Sequence, residues 1–362
     1  MTAIKPQGRA GVPGLLLASL LWGQGTPLKI PDRAPASLFH GQQGKQRTEI
    51  HFDPATGTVT VKLLVQDPNG YFIPGIRREN FAVYVDGVRQ NDAAVEIEHA
   101  PVTLALLFEY GGRYPGLNRN LTEEISRTAR QLAEVLGRQD RIAFWGYGDT
   151  VHQLTDFVPR GDALDSVLFS LAPPDVSETN LYDAVVFALK KMGPVPGRKA
   201  IILFSSGLDT FSKATYEDAL AAAGKGDTPI YVVSLTPVLR QMIQLETAAN
   251  PLIRTDWTAL EDKLLAIAKS SGVRLYSPEK TIDLSPIFDD MMENLKVRYV
   301  VTFKSPGGKS PDGGSNMNHT LRVDLIDPAS GKPLEIADAA GRSIRANVIV
   351  QASYTTGVTV HR

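Results

Sequence analysis

Three short segments of the chain place oxygen-bearing side chains directly after or before elements that we predict to be buried. The strand predicted over 103–108 runs into Glu109-Tyr-Gly-Gly-Arg113, and the strand predicted over 200–204 runs into Ser205-Ser-Gly-Leu-Asp209. Between them, Glu178-Thr-Asn-Leu-Tyr-Asp-Ala184 opens a predicted helix. Residues that follow parallel strands meet at one edge of a sheet, where open α/β sheets bind ligands. Their carboxylate and hydroxyl oxygens could contact a partner protein there.

The elements that would position these segments alternate between apolar strands and amphipathic helices. This alternation predicts a doubly wound, mostly parallel sheet covered by helices on both faces. The predicted strands are 103–108, 141–147, 200–204, 230–234 and 273–276. The predicted helices are 121–136, 163–171, 181–192, 215–223 and 257–271, with an extra helix over 238–249 whose role is open.

On both sides of this region the apolar residues recur at every second position, which is typical of half-buried strands. One such face holds Val59, Val61, Leu63 and Val65, and another holds Val297, Tyr299, Val301 and Phe303. The dipeptide Asp86-Gly87 between apolar runs predicts a hairpin. Each flank has only about three predicted strands, too few for a stable unit alone. We therefore expect one small antiparallel β-sandwich into which the α/β region is inserted.

In their order along the chain, the three polar segments resemble the von Willebrand factor A (VWA) domain and its metal-ion-dependent adhesion site. The family pattern is Asp-x-Ser-x-Ser, then a Thr, then an Asp before a Gly. The corresponding positions here hold Glu109, Gly111, Arg113, Thr179 and Ser206. The segment 65–87 is similar to the lead-in of the secreted VWA-related proteins frequent in acidobacteria, and the segment 140–149 resembles the second VWA strand and its exit. The resemblance covers about residues 50 to 305 and implies a VWA-like, Rossmann-like fold and an adhesion or protein-binding function.

Of the family's metal ligands, only the threonine is retained. Mg²⁺ requires near-octahedral oxygen ligands at roughly 2.1 Å. Gly111 offers no side-chain oxygen, and Arg113 brings a permanent positive charge. Two unit charges ~4 Å apart interact by about 4 kcal/mol at an effective dielectric constant near 20. We therefore expect a degenerate site without metal or other cofactor; if Mg²⁺ did bind, its ligands would be Glu109, Thr179, Ser206 and Asp209.

The sequence allows two interpretations of the Arg113 side chain. Across the Gly-Gly turn its guanidinium could fold back onto Glu109 and occupy the place of the ion, because arginine pairs well with carboxylates. Alternatively, Arg113 points into solvent.

Composition limits the other function classes. The 362 residues suggest two domains, and 43% hydrophobic with 21% charged residues is typical of globular proteins. A net charge of −1 gives no field to attract nucleic acid, and the absence of cysteine excludes disulfides, thiolate metal sites, a cysteine nucleophile and a lipid-anchored cysteine. There is no Gly-x-Ser-x-Gly elbow and no three-glycine nucleotide loop. The histidines are scattered without metal-ligand spacing: His40, His51, His99, His152, His319 and His361.

The N-terminal segment has the parts of a secretory signal peptide. Lys5 and Arg9 precede an apolar run over 12–22, and small residues follow at Gly23 and Gly25. The run is about half the length needed to span a bilayer. The alternative is a disordered or buried N-terminal segment. We expect a soluble chain outside the cytoplasm, periplasmic or secreted, without a transmembrane segment.

Together these observations predict a signal peptide over 1–25, a linker over 26–46, sandwich parts over 47–100 and 295–357, and a VWA-like domain over 101–294. We predict a non-catalytic module that binds a protein at the carboxyl ends of the parallel strands and does not bind nucleic acid. The alternatives are an extracytoplasmic hydrolase with an unrecognised site and an envelope-assembly component that binds through sandwich edges. The predicted partner-binding residues are Glu109, Tyr110, Arg113, Thr179, Asn180, Tyr182, Ser206 and Asp209.

Overall fold

The computed structural model of the chain describes residues 28–29, 39–40, 48–67, 70–109, 118–161, 178–244, 254–279, 284–306, 317–337, 343–345 and 350–356. Four predicted features lie outside these ranges. They are the signal peptide, the helix over 163–171, the Tyr110 and Arg113 positions, and the Gly111 position between them.

The described residues form strands and helices with the following bounds. The strands are β1 (Leu28–Lys29), β2 (Phe39–His40), β3 (Glu49–Asp53), β4 (Thr58–Leu63), β5 (Phe81–Val85), β6 (Val88–Gln90), β7 (Ala94–His99), β8 (Val102–Glu109), β9 (Arg141–Tyr147), β10 (Val151–Gln153), β11 (Val158–Pro159), β12 (Arg198–Ser205), β13 (Ile230–Ser234), β14 (Leu275–Tyr276), β15 (Val297–Lys304), β16 (Met317–Leu325), β17 (Glu335–Ala337), β18 (Ser343–Arg345) and β19 (Val350–Thr356). The helices are α1 (Asn118–Val135), α2 (Leu181–Met192), α3 (Tyr216–Lys225), α4 (Thr236–Gln244), α5 (Trp257–Ser270) and α6 (Ser285–Lys296). A short 3-10 helix covers Arg78–Asn80.

The largest sheet has the strand order β10-β9-β8-β12-β13-β14-β2, with β11 also paired to β9. Strands β9, β8, β12, β13 and β14 run parallel, and the short outer strands are antiparallel to their neighbours. Alternate residues of β8 enter two separate cores. Leu106 packs with Leu132 of α1 and Phe288 of α6, whereas Leu107 packs with residues of α2 and α5. Apolar side chains on both faces of a strand require helices on both faces of the sheet. The predicted α/β fold with a mostly parallel sheet is confirmed.

Two further sheets of four antiparallel strands face each other. Their orders are β3-β4-β15-β7 and β19-β16-β5-β6. Each sheet combines strands that precede β8 with strands that follow α6. Their inner faces share one core, in which Val61, Val83, Tyr299 and Val323 are fully or almost fully buried. A small sheet has the order β1-β17-β18, and Ile336 of its strand β17 is buried in the same core.

The hairpin predicted at Asp86-Gly87 is confirmed. Val85 pairs with Val88, so the loop between β5 and β6 contains two residues. Asp86 and Gly87 have φ values of 51° and 81°. Positive φ at both positions is the geometry of a type I′ turn, which Asp-Gly favours.

The two chain connections between the parallel strands and the antiparallel sheets that the structure describes lie at the amino ends of these strands. The connection on one side is two residues, between β7 and β8, and on the other side α6 runs directly into β15. A buried ion pair between Arg274 and Asp290 lies at this end. The Arg274 guanidinium also covers the ring of Tyr71 at 4.7 Å, in the turn after β4. The carboxyl ends therefore face away from the antiparallel sheets.

Several elements differ from the sequence-based prediction. Helix α6 is absent from the sequence-based prediction, although its buried apolar residues recur at helical spacing: Ile287, Phe288, Met291, Met292 and Leu295. Asp290 and Asn294 are buried beside them. The segment 26–46, predicted as a linker, contributes Phe39–His40 as a two-residue strand at the edge of the α/β sheet. The helix predicted over 238–249 begins earlier, at Thr236, and its described part ends at Gln244.

Among the described residues, no helix combines the length and the apolar character needed to cross a membrane.

Candidate functional site

The carboxyl ends of β8, β9 and β12 bring a buried carboxylate together with several hydroxyl groups. Glu109 ends β8 and has no exposed surface. Ser206 donates to its carboxylate twice, from its backbone N–H at 2.7 Å and from its hydroxyl at 2.8 Å. Tyr147 at the end of β9 donates its hydroxyl at 3.2 Å, and the Ser205 hydroxyl lies at 3.3 Å. These donors offset the cost of burying a carboxylate.

Tyr147 and Ser205 belong to this cluster although their residue types did not single them out. The Tyr147 hydroxyl also lies 2.8 Å from that of Ser205, so the three strand ends form one hydrogen-bonded group. Both residues are the last of their strands, and these strands flank β8 in the sheet. A polar residue at the carboxyl end of a strand adjacent to β8 is the signal that could have identified them.

Thr179 and Asn180 connect the start of α2 to two neighbouring loops. Thr179 is buried and exchanges backbone and side-chain hydrogen bonds with Thr210, at 2.8 and 2.9 Å. Among the described residues, the buried Thr179 hydroxyl oxygen has no hydrogen-bond partner. Asn180 binds the loop after β9, through its N–H to Gly148 O at 2.8 Å and its side-chain amide to Asp149 O at 2.7 Å. Asn180 therefore positions the helix.

The loop after β12 is fixed on the first turn of α2 by two carboxylates. Asp209 accepts from Tyr182 N at 3.1 Å and from the Ser212 hydroxyl at 2.5 Å. In the opposite direction, Asp183 of α2 accepts from Lys213 N at 3.0 Å and Ala214 N at 2.8 Å. Carboxylates near a helix N-terminus also interact favourably with its dipole. Asp209 thus holds the loop in place.

The same loop exposes one aromatic side chain. Phe211 lies between Asp209 and Ser212 and is 80% exposed. The loop leaves β12 at Gly207, whose φ is +81°, and a Cβ there would lie 2.9 Å from Leu260 O. Only glycine fits this close passage over α5. The loop conformation is therefore defined at both ends while its tip points into solvent.

Tyr182 lies beneath this loop. It is 7% exposed and its ring packs against that of Tyr216 at a centroid distance of 5.8 Å. Burial, together with the negative charges of Asp209 and Glu217, raises the pKa of Tyr182 to about 12. The phenol is therefore neutral at physiological pH, and its ring supports the loop from below.

The described residues do not fit a magnesium site. They contain no group of three or more His, Asp or Glu side chains that could hold a metal ion. Both Glu109 oxygens accept hydrogen bonds from Ser206, whose own hydroxyl is used in that contact. The Asp209 carboxylate is occupied by the loop contacts. In the described part of the chain the oxygens of Glu109, Ser206 and Asp209 are thus engaged in contacts within the protein, which differs from the near-octahedral set of oxygen ligands that Mg²⁺ requires.

Two histidines have carboxylate neighbours. Nε2 of His152 lies 3.2 Å from the Thr150 hydroxyl and 3.6 Å from Asp149 Oδ1. Nδ1 of His319 contacts Asp86 at 2.6 Å, and its buried Nε2 has no hydrogen-bond partner among the described residues.

The chain matches no family model and no curated protein. Solved structures of similar fold include proximal thread matrix protein 1 from the mussel byssus, which is 14% identical with a TM-score of 0.43, over 59% of this chain and 51% of that chain. A von Willebrand factor type A protein from Catenulispora acidiphila is 10% identical with a TM-score of 0.41, over 78% and 75%. BatB from Bacteroides thetaiotaomicron is 15% identical with a TM-score of 0.38, over 53% and 96%. The chain spans about half the length of the byssus protein. At these identities the likeness concerns the fold alone.

Proposed function

We propose that the chain is an extracytoplasmic, non-catalytic protein-binding module of the VWA type, whose contact surface is the carboxyl-end rim of its α/β sheet. The observation that carries this proposal is Phe211, an aromatic side chain 80% exposed on a loop that Asp183 and Asp209 hold in one conformation. Aromatic residues, including phenylalanine, are enriched in protein interfaces relative to the rest of the protein surface. A fixed loop also loses less entropy on binding.

The residues at the carboxyl ends would divide into two roles. Glu109, Ser206 and Thr179 are buried and would hold the strand ends in position. Phe211, with the exposed residues Thr210 and Lys213 beside it, would contact the partner. Tyr110 and Arg113 follow β8 in sequence and remain predicted contact residues outside the described part of the chain.

We propose that this binding requires no metal ion. The support is the state of the Glu109 carboxylate, which is buried and bound by donors from Ser206 and Tyr147. A divalent ion would have to displace these donors before it could reach the carboxylate. Removing divalent ions should therefore leave partner binding unchanged.

The arrangement of the chain is part of the proposal. We propose that residues 101–294 are an insertion in a sandwich formed by 47–100 and 295–357. Its support is that both four-stranded sheets contain strands from the two flanks, and that β7 and β15 pair directly over six residues. The binding rim would then be presented on the side away from the sandwich.

The experiment is affinity capture with immobilised wild-type chain, with a Phe211→Ala variant and with a Val88→Ala variant as matched control. Val88 is 65% exposed but lies on a sandwich strand. We expect a partner that both the wild type and Val88→Ala retain, equally in Mg²⁺ and in EDTA, and that Phe211→Ala loses. Thermal denaturation should be the same for all three, because both side chains are exposed.

Two results would contradict the proposal. If Phe211→Ala captured the same proteins as the wild type, the rim would not be the contact surface. If EDTA abolished capture, binding would depend on a metal.

The extracytoplasmic location has a separate test, because export predicts a mature N-terminus near Gly25 or Thr26. An intact Met1, found by mass spectrometry in cytoplasmic material, would contradict the proposed export.

A further inference from the structure

Strand β7 forms one edge of a sandwich sheet. The order β3-β4-β15-β7 places β15 on one side of it, and no strand of the described chain pairs with its other side. Within β7, Ile97 is 45% exposed, which is uncommon for a large apolar residue in this structure. An open edge with an exposed apolar side chain is a template for a further strand.

The register of the β7–β15 ladder determines which backbone groups of β7 point outwards. Ala100 N donates to Lys296 O at 3.0 Å, so these residues form a hydrogen-bonded pair that continues the ladder register. In an antiparallel ladder such pairs alternate with pairs that exchange no hydrogen bond. The even-numbered residues of β7 therefore bond to β15. The backbone N–H and C=O groups of Val95, Ile97 and His99 point to the outer edge.

The stretch of this edge that can accept a further strand is limited at both ends. Ala93 has the same outward parity, and its carbonyl accepts a hydrogen bond from Arg78 Nε at 2.9 Å. At the other end, the next residue of outward parity is Pro101, which has no N–H. Between these ends, three residues offer a donor and an acceptor each. This length matches a short extended segment, because strands are commonly about five residues long.

The side chains along the edge determine what such a segment should carry. Val95 packs against the sandwich core, and Ile97 lies on the same face with part of its surface exposed. Glu96 lies on the opposite face and is exposed, and its cross-strand neighbour on β15 is Val300. No basic residue of β15 therefore faces Glu96. A strand added here would place one residue beside Ile97, where an apolar side chain fits, and another residue beside the carboxylate of Glu96.

Glu98 differs from Glu96 because its charge is compensated within the chain. Its carboxylate pairs with Lys62 at 2.9 Å and with Arg198, and Arg298 is its cross-strand neighbour. In a second copy of the chain, symmetric antiparallel pairing centred on Ile97 would place Glu96 opposite Glu98. Like charges directly opposite each other are unfavourable. The edge is therefore better suited to a different, basic polypeptide.

We propose that the outer edge of β7 takes up an extended, basic segment of another protein as an added antiparallel strand, with an apolar residue beside Ile97 and Lys or Arg beside Glu96. Main-chain hydrogen bonds to Val95, Ile97 and His99 supply the affinity, and the two side-chain contacts supply the selectivity. This site is separate from the rim around Phe211. Strand β7 leads into the amino end of β8, whereas the Phe211 loop follows the carboxyl end of β12.

The test uses the full chain and a fluorescein-labelled peptide, Gly-Ser-Lys-Val-Lys-Val-Lys-Ser-Gly, in fluorescence anisotropy titrations. We expect saturable binding. A peptide N-methylated at its valines should bind at least about tenfold more weakly, because valine amides opposite Ile97 donate to the edge. A peptide N-methylated at the lysines that flank the valines should bind like the parent, because those amides point away.

Protein variants give the second arm. Ile97→Pro removes a donor that β15 does not use, and proline is tolerated on edge strands, so binding should weaken about tenfold while the fold persists. Glu96→Lys should weaken binding comparably by charge repulsion. Phe211→Ala is the matched control and should bind like the wild type.

Three outcomes would overturn the proposal. The first is absence of peptide binding, and the second is equal binding of the two methylated peptides. The third is a dimer of the chain, seen by sedimentation, that Ile97→Pro dissociates, which would make a second copy the occupant. If Ile97→Pro fails to fold, the methylated peptides and Glu96→Lys still decide. Because Phe211→Ala is scored in both experiments, failure of the edge site and failure of the rim are distinguishable.

Discussion

The Glu109 carboxylate accepts hydrogen bonds from the backbone N–H and the side-chain hydroxyl of Ser206, at 2.7 and 2.8 Å. Both residues are fully buried, and they end or directly follow adjacent parallel strands. These hydrogen bonds link the ends of the two strands through the carboxylate that a metal site would use as a ligand.

The first prediction concerns these hydrogen bonds between Glu109 and Ser206. Ser206→Ala should lower the free energy of unfolding by about 1.5–3 kcal/mol, because a buried carboxylate loses a hydroxyl donor. Urea denaturation measures the change, with Ser330→Ala in an exposed turn as control, expected within about 0.5 kcal/mol of wild type. In a double-mutant cycle with Glu109→Gln, the two changes should couple. Additive effects would show that the contact contributes no pairwise energy.

The second prediction concerns metal binding. Adding about 10 mM Mg²⁺ to the wild type should leave its melting temperature unchanged relative to EDTA. A variant that restores the family pattern, with Glu109→Asp, Gly111→Ser, Arg113→Ser and Ser206→Asp, should melt several degrees higher with Mg²⁺. A ligand at a hundredfold excess over its Kd stabilises the native state by about 2.7 kcal/mol. An upward shift in the wild type would refute the metal-independent site.

The third prediction concerns the ion pair of Arg274 and Asp290. Asp290→Ala should cost about 3–5 kcal/mol of unfolding free energy, since it leaves a buried guanidinium without its partner. Tyr276 also donates to this carboxylate at 2.8 Å and would lose its acceptor. The combined change Arg274→Met and Asp290→Leu should recover much of the loss. The pair of Arg322 and Asp324, whose carboxylate is only partly buried, supplies the control, since Asp324→Asn should cost at most about 1 kcal/mol.

The same network predicts the behaviour of an isolated α/β region. A fragment limited to 101–294 would lose Tyr71 over Arg274 and the hydrogen bond from Gln66 to Asn294, at 2.6 Å. We expect it to fold with lower stability than the full chain, because these buried polar groups become exposed. Chemical denaturation of the fragment and of the full chain compares the two. Equal midpoints would mean that the junction contributes no stability.

The fourth prediction concerns alkaline pH. The pKa of Tyr182 is raised from 10 to about 12, so the folded state holds this proton more tightly than the unfolded state. The contribution to stability is therefore complete below pH 10 and is lost as the pH rises towards about 12. Difference absorbance at the phenolate band, wild type against Tyr182→Phe, measures the titration. Circular dichroism identifies the pH range in which the chain remains folded.

Two variants test the causes of this shift. Asp209→Asn removes a negative charge near Tyr182 and should lower its pKa. Glu217→Gln should lower it less, because Glu217 is the weaker of the two charges acting on the phenol. A Tyr182 that titrates near 10 in the wild type would contradict its burial beneath the loop.

The sequence by itself determined the features that depend on local physics. The period of the apolar residues separated a parallel α/β region from antiparallel flanks, because strand and helix faces follow directly from residue spacing. The Asp86-Gly87 hairpin was predictable for the same reason, since the tolerance of positive φ belongs to these residues themselves. Glu109 and Ser206 were recognisable as strand-end residues from their positions in the chain.

The tertiary structure alone decided what these residues do. The donors to Glu109 come from Tyr147 and Ser206, 38 and 97 positions away, and only the strand order brings them to one carboxylate. Helix α6 carries two buried polar residues that are acceptable only because Arg274 and Gln66 reach them from distant segments. The open edge of β7 exists because β15, some 200 residues later, occupies the other side. Hydrogen-bond partners and sheet edges depend on which distant segments come into contact. The local spacing of residues does not predict these contacts.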